Sequence, residues 1–119
     1  KRLCKIIQIA SLLSFQGGFR TSGYTASKHG IIGMTKLLAN EWGRYGINVN
    51  AVAPGYIRTN MSEEFLNNTE ISDRFFQRIS LGRWGKPEDV AAAVLFFASP
   101  AADYIQGTTI IVDGGYSVN

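Results

Sequence analysis

The chain contains one cysteine among 119 residues. Cys4 therefore cannot close an internal disulfide, and its apolar neighbours predict a buried thiol in a reducing compartment. No apolar run approaches the roughly 18 residues needed to cross a bilayer, and the first residues lack the apolar core of a signal peptide. A cytoplasmic location without membrane association is expected. Basic residues exceed acidic ones by only three. They are spread along the chain, with Lys1, Arg2 and Lys5 as the one local cluster. That builds no basic face, so nucleic acid is not an expected partner. Two glycosylation patterns, Asn60-Met61-Ser62 and Asn67-Asn68-Thr69, lack a secretory context and read as chance matches. Internal repeats, low-complexity tracts and interdomain linkers are also absent.

The composition is 45% hydrophobic and 18% charged, which fits one modest globular domain and excludes disordered and collagen-like classes. The chain starts at Lys1 and opens almost directly into an apolar run, so it is expected to be part of a longer protein. Three β-branched runs read as buried strands: "CKIIQIAS" (4–11), "INVNAVAP" (47–54) and "GTTIIVDGG" (107–115). Between the first two, Ile31, Met34, Leu38 and Trp42 recur at helical spacing from about Tyr24 to Arg44, and Gly46 stands ready to end that helix. A second helix is predicted over 86–99, with Pro87 at its first position and Glu88 and Asp89 complementing the helix dipole. Strand, helix, strand, helix, strand is the pattern of an α/β fold with a parallel sheet at least three strands wide. Residues 56–85 form a polar insert with one or two short helices, placed where such folds commonly build a substrate loop.

"YTASK" places Tyr24 and Lys28 one helical turn apart. Alone the spacing is a weak signal, compatible with a solvated helix face. Ser11 ends the preceding strand, so three polar groups can converge at the carboxyl edge of the sheet. The chemistry suited to them is proton transfer coupled to alcohol oxidation or ketone reduction. Free tyrosine, with a pKa of about 10, is a slow base at neutral pH, and a nearby ammonium favours its phenolate. A serine hydroxyl can donate a hydrogen bond to a substrate oxygen as charge develops there.

Together, "IQIASLLSFQGG", "YTASKHGIIGMTKLLANEW", "INVNAVAPGYIRT" and "VDGG" resemble the short-chain dehydrogenase/reductase family over essentially the whole chain. The resemblance implies Ser11 as the substrate-orienting hydroxyl and Tyr24 as the catalytic acid/base. Lys28 is implied as the cation that lowers the tyrosine pKa and as a ligand of the nicotinamide ribose, and Tyr24 is implied among the cofactor-binding residues as well. Pro54 and Gly55 would face the nicotinamide, the Ile57 backbone would pair with the carboxamide, and the Thr59 hydroxyl would reach the pyrophosphate. The resemblance implies NAD or NADP as the cofactor, with NAD favoured, and calls for no metal. Asp113, Gly114 and Gly115 match a further family motif and read as a structural turn. "ASLLSFQGG" and "GRWGKPED" are similar to sugar-acid dehydrogenases of the type acting on 2-deoxy-D-gluconate or 2-dehydro-3-deoxy-D-gluconate. A substrate carboxylate would then want an arginine from Arg20, Arg58 or Arg83, although each reads more readily as a solvated surface residue.

None of the thirteen glycines is spaced two from another, so the Gly-x-Gly-x-x-Gly turn of dinucleotide sites is missing. The family's own three-glycine turn, its "NAG" segment and its relay asparagine are missing too. The chain is therefore expected to be the C-terminal portion of a single Rossmann-like domain, without the N-terminal dinucleotide-binding half. Its first strand would keep an open edge, a hazard for aggregation, and these residues alone are expected to be inactive. Two functions remain. One is an NAD(P)-dependent oxidoreductase acting on a hydroxyl or keto group, assembled as a homodimer or homotetramer. The other is a truncated, non-catalytic assembly module.

Overall fold

The computed structural model describes residues 4–12 and 22–118. Its elements in chain order are β1 (Cys4–Ile9), α1 (Ser22–Trp42), β2 (Ile47–Pro54), α2 (Glu63–Asn67), α3 (Thr69–Phe76), α4 (Pro87–Ala98) and β3 (Thr109–Val112). The strands form one parallel sheet in the order β1-β2-β3. Cys4 to Ile9 pair with Ile47 to Val52, and Ala51 to Pro54 pair with Thr109 to Val112. Both crossovers carry helix, as parallel strands require.

Alternation along β2 distributes its side chains to two helical layers. On one face Ala51 and Ala53 join Ala10 and pack against Ile31 and Ile32 of α1. On the other face Val52 packs with Phe97, Val90 and Val94 of α4 and with Ile7, Ile110 and Val112 of the flanking strands. β2 is thus covered on both faces and both edges, and Val49, Ala51, Val52 and Ala53 are fully buried. Among the described residues β1 pairs only with β2. Its position at the edge corrects the expectation for Cys4, which is exposed rather than buried. Cys4 is the first residue of an edge strand and, among the described residues, has only Ile47 beside it across the ladder.

The helices follow local sequence signals, with one change of phase. Pro87 opens α4, and the Asp89 carboxylate accepts the Lys86 N–H at 2.8 Å, satisfying a donor at the helix start. Gly46 adopts φ 78° and ends the short 3-10 turn that extends α1. The buried residues of α1 are Ile32, Thr35 and Ala39, whereas Met34 of the expected stripe is 48% exposed. Thr35 can sit inside because its hydroxyl donates to the Ile31 carbonyl at 2.7 Å and accepts Gln8 Nε2 at 3.3 Å. The helix consequently has a second apolar face, with Met34 and Leu37 turned outward.

A polar clamp joins β2 to the segment before β3. Asn48 Nδ2 donates to the Asp103 and Ile105 carbonyls, and Asn50 donates to Ile105 and accepts the Thr108 N–H. Gln106 accepts the Val49 N–H and donates to Ala39 and Ile47 carbonyls. These side chains replace a backbone ladder where β3 has not yet begun. Among the described residues, no helix is long and apolar enough to cross a membrane.

Candidate active site

The insert between β2 and α4 folds as two short helices, α2 and α3, where one or two were expected. Beneath it Leu12, Ile79 and Tyr116 form a buried cluster with Tyr56, Phe75 and Trp84 against it. Leu12 follows Ser11 and Tyr56 follows Gly55, so this cluster braces the two strand ends that carry the candidate site.

Tyr24 lies in the first turn of α1 and is about half exposed. Lys28 follows one turn later, with its ammonium 5.4 Å from the Tyr24 ring centroid. The same ammonium donates to the Ile9 carbonyl at 3.1 Å. Alternation in a parallel ladder explains why that carbonyl is accessible. Ala10 bonds to Val52 of β2 at 2.7 Å, so Ile9 turns its own carbonyl to the open side of β1. Lys28 thereby connects the tyrosine to the end of the strand, two residues before the half-buried Ser11.

Pro54 ends β2, and the Gly55 N–H donates to the Val112 carbonyl at 2.9 Å. A Cβ on Gly55 would lie 2.7 Å from Asp113 Cβ and 2.9 Å from Asp113 Cα. The glycine is needed for strand-end packing, independently of any ligand. Ile57 forms a parallel bridge with Gly85, using the flanking Tyr56 carbonyl and Arg58 N–H. The Ile57 carbonyl accepts Ser62 Oγ at 2.6 Å, and its N–H, turned away from Gly85, has no acceptor among the described residues. The Thr59 hydroxyl accepts the Ser62 N–H at 3.2 Å and is exposed at the start of the insert.

Asp113, Gly114 and Gly115 form the structural turn expected. Both glycines have positive φ, at 62° and 89°, and a side chain on either would collide with Ile79 or Ser80. Burial pushes the Asp113 carboxyl up, but hydrogen bonds from Ser117 and Gly115 outweigh it and leave the group below its ordinary value.

Of the three arginines considered for a carboxylate, Arg20 lies outside the described residues. Arg58 is paired with Glu63 at 2.9 Å, and Arg83 makes two bonds to Asp89, at 2.8 and 3.1 Å. A cavity of about 160 Å³ opens beside Arg83, Asp89, Tyr56, Ile57 and Asp113; none of Ser11, Tyr24 and Lys28 lines it. The sequence reading passed over a cluster of Tyr56, Arg78 and Tyr116. The Arg78 guanidinium lies 4.2 Å over the Tyr116 ring and donates to its hydroxyl at 3.0 Å. Burial, with Tyr116 alongside, pushes the Tyr56 hydroxyl well above the ordinary tyrosine range. The only sequence signal was the aromatic residue following Pro54-Gly55, since its partners come from distant segments.

A family profile described as enoyl-(acyl carrier protein) reductase matches residues 1–117. The chain belongs to the short-chain dehydrogenase/reductase family. It is 53% identical over 112 residues to the 2-dehydro-3-deoxy-D-gluconate 5-dehydrogenase of Escherichia coli K12, covering 94% of this chain and 44% of that protein. Among solved structures it matches a candidate 2-deoxy-D-gluconate 3-dehydrogenase from Agrobacterium tumefaciens with bound NADP. That match has a TM-score of 0.97 and 53% identity, over 99% of this chain and 48% of the other. It also matches a 4-hydroxyisoleucine dehydrogenase mutant complexed with NADH and succinate, at TM-score 0.93 and 35% identity, over 97% and 47% of the two chains. The three-stranded sheet is therefore part of a short-chain dehydrogenase Rossmann fold. The chain spans less than half the length of the curated relatives it matches first.

Proposed function

We propose that these residues are the C-terminal part of the single domain of an NAD(P)-dependent oxidoreductase that acts on a hydroxyl or keto group of a sugar acid. The observation that carries this reading is the Lys28 ammonium, bonded to Ile9 and placed against Tyr24. The similarity to sugar-acid dehydrogenases supports the substrate class.

In this reading the bound nicotinamide supplies or accepts hydride. The residues present suit that half of the cofactor: the Ile57 N–H has an unused direction among the described residues, beside the turn at Pro54 and Gly55. The Ile57 backbone would pair with the carboxamide, Lys28 would bind the ribose hydroxyls, and the Thr59 hydroxyl would approach the pyrophosphate. Tyr24 donates a proton to the carbonyl oxygen in reduction and takes it from the alcohol in oxidation. Ser11 orients the substrate oxygen by donating a hydrogen bond. NADP in one matched structure and NADH in another leave the expected preference for NAD without support. The group that reads the adenosine ribose belongs to the glycine-rich half of such folds.

A homodimer or homotetramer and a cytoplasmic location belong to the same reading. Met34 and Leu37 on the outer face of α1 are about half exposed, and Gly30 and Gly33 beside them have open space above. That close-approach apolar face suits a second copy of the helix, and the exposed free thiol of Cys4 suits a reducing compartment.

The test is turnover by the full-length protein of 2-dehydro-3-deoxy-D-gluconate, or of its hydroxyl counterpart, with NAD(H) and NADP(H) compared. Nicotinamide absorbance should change only with substrate present. Absence of turnover with either cofactor across sugar acids would remove the reading.

A further inference from the structure

Ser62 stands where α2 begins, yet its hydroxyl makes no capping bond to the α2 backbone. A serine at that position ordinarily accepts an N–H of the first helical turn. Here Oγ turns back on the preceding chain. It donates to the Ile57 carbonyl at 2.6 Å and accepts the Thr59 N–H at 2.8 Å. Ser62 is also half-buried, between exposed Met61 and exposed Glu63.

These bonds fix two groups at the exit of β2. Gly85 holds the Tyr56 carbonyl and the Arg58 N–H, at 3.0 and 2.8 Å. That bridge leaves the N–H and the carbonyl of Ile57 together on the opposite side. Ser62 takes the carbonyl, so both peptide planes around Ile57 are anchored, and the N–H is left without an acceptor among the described residues. Thr59 is set in a similar way. Its hydroxyl oxygen accepts the Ser62 N–H at 3.2 Å, and among the described residues its own proton has only a long 3.3 Å contact, to Ser62 Oγ. That proton can turn to an outside oxygen at little cost. The chain before Ile57 is rigid by packing, since a Cβ on Gly55 would press on Asp113. The chain after it is exposed from Thr59 to Met61, and there the Ser62 hydroxyl supplies the restraint that packing does not.

We propose that Ser62 is a positioning residue for the cofactor, whose one hydroxyl holds the Ile57 N–H ready for the nicotinamide carboxamide and the Thr59 hydroxyl ready for the pyrophosphate. The inference rests on the function proposed above. Ser62 acts through these two residues and need not touch the dinucleotide itself. Its effect falls on the nicotinamide and pyrophosphate end of the cofactor, and the adenosine end is independent of it.

The experiment uses Ser62→Ala and Ser62→Thr in the full-length protein. Binding of NADH and NADPH is followed by nicotinamide fluorescence. Binding of adenosine monophosphate, which lacks the nicotinamide and the second phosphate, is followed by calorimetry. Ser62→Ala should raise the Kd for the reduced dinucleotide roughly three- to tenfold, the span expected for loss of one neutral hydrogen bond. The Kd for adenosine monophosphate should not change, nor should KM for the sugar acid at saturating cofactor. Ser62→Thr, which keeps the hydroxyl, should restore most of the dinucleotide affinity. Equal losses for dinucleotide and monophosphate would show a merely structural role and overturn the inference, as would an unchanged dinucleotide Kd in Ser62→Ala. If the unaltered protein bound neither NADH nor NADPH, the oxidoreductase reading itself would fall, and this inference with it.

Discussion

The Lys28 ammonium sits between the Tyr24 ring, 5.4 Å from its centroid, and the Ile9 carbonyl, 3.1 Å away. One side chain therefore ties the first turn of α1 to the open side of β1. The cation is held by a backbone atom whose direction is set by sheet pairing, so its position does not depend on another flexible side chain.

Tyr24→Phe in the full-length protein is expected to lower kcat by about 10²- to 10⁴-fold, the usual contribution of a positioned acid or base. Cofactor affinity, measured by fluorescence titration, should change little because Lys28 and the Ile57 backbone remain. Full turnover in this variant would remove Tyr24 from the proton path.

Gly55→Ala tests whether that glycine serves packing as well as ligand approach. Its new methyl group would press on the backbone and Cβ of Asp113, at 2.9 and 2.7 Å. Overpacking of this kind costs about 1–3 kcal/mol. A lower denaturation midpoint without cofactor is expected, while an unchanged midpoint with weakened cofactor binding would assign the glycine to the ligand alone.

Acid stability should carry the signature of Asp89. Hydrogen bonding by Arg83, followed by the Lys86 N–H, holds its carboxyl at about 2, below the unfolded value of about 3.9. The folded pKa is the lower one, so this contribution is complete above about pH 4 and is lost as pH falls toward 2. Asp89→Asn should flatten the dependence of melting temperature on pH across that window. An identical slope in the variant would show that another group governs it.

Asn50→Ala should be more damaging than its small volume change suggests. Asn50 is 2% exposed and satisfies both the Ile105 carbonyl and the Thr108 N–H. Its loss leaves the Thr108 N–H without its acceptor, while the Ile105 carbonyl keeps Asn48 Nδ2, at a cost of about 1–3 kcal/mol. Urea denaturation of the full-length protein measures this, and a shift within a few tenths would mean that water replaces the amide.

The sequence by itself determined the order of elements and the parallel sheet, and it singled out the candidate site residues, because these depend on local patterns. β-branched runs ended at Pro54 and near Gly114, Pro87 and Asp89 marked a helix start, and Tyr24 and Lys28 were joined by helical spacing. Tertiary structure decided which apparent core positions face outward. Met34 fits the helical period as well as Ile32 does, but only the placement of β1 and β2 selects the Ile32, Thr35 and Ala39 side. The same holds for Cys4, exposed because β1 lies at the sheet edge, and for the arginines. Arg58, Arg78 and Arg83 differ little in local context. Their partners Glu63, Tyr116 and Asp89 are 5, 38 and 6 residues away, and the longest of these separations is invisible to periodicity because chain folding alone creates it.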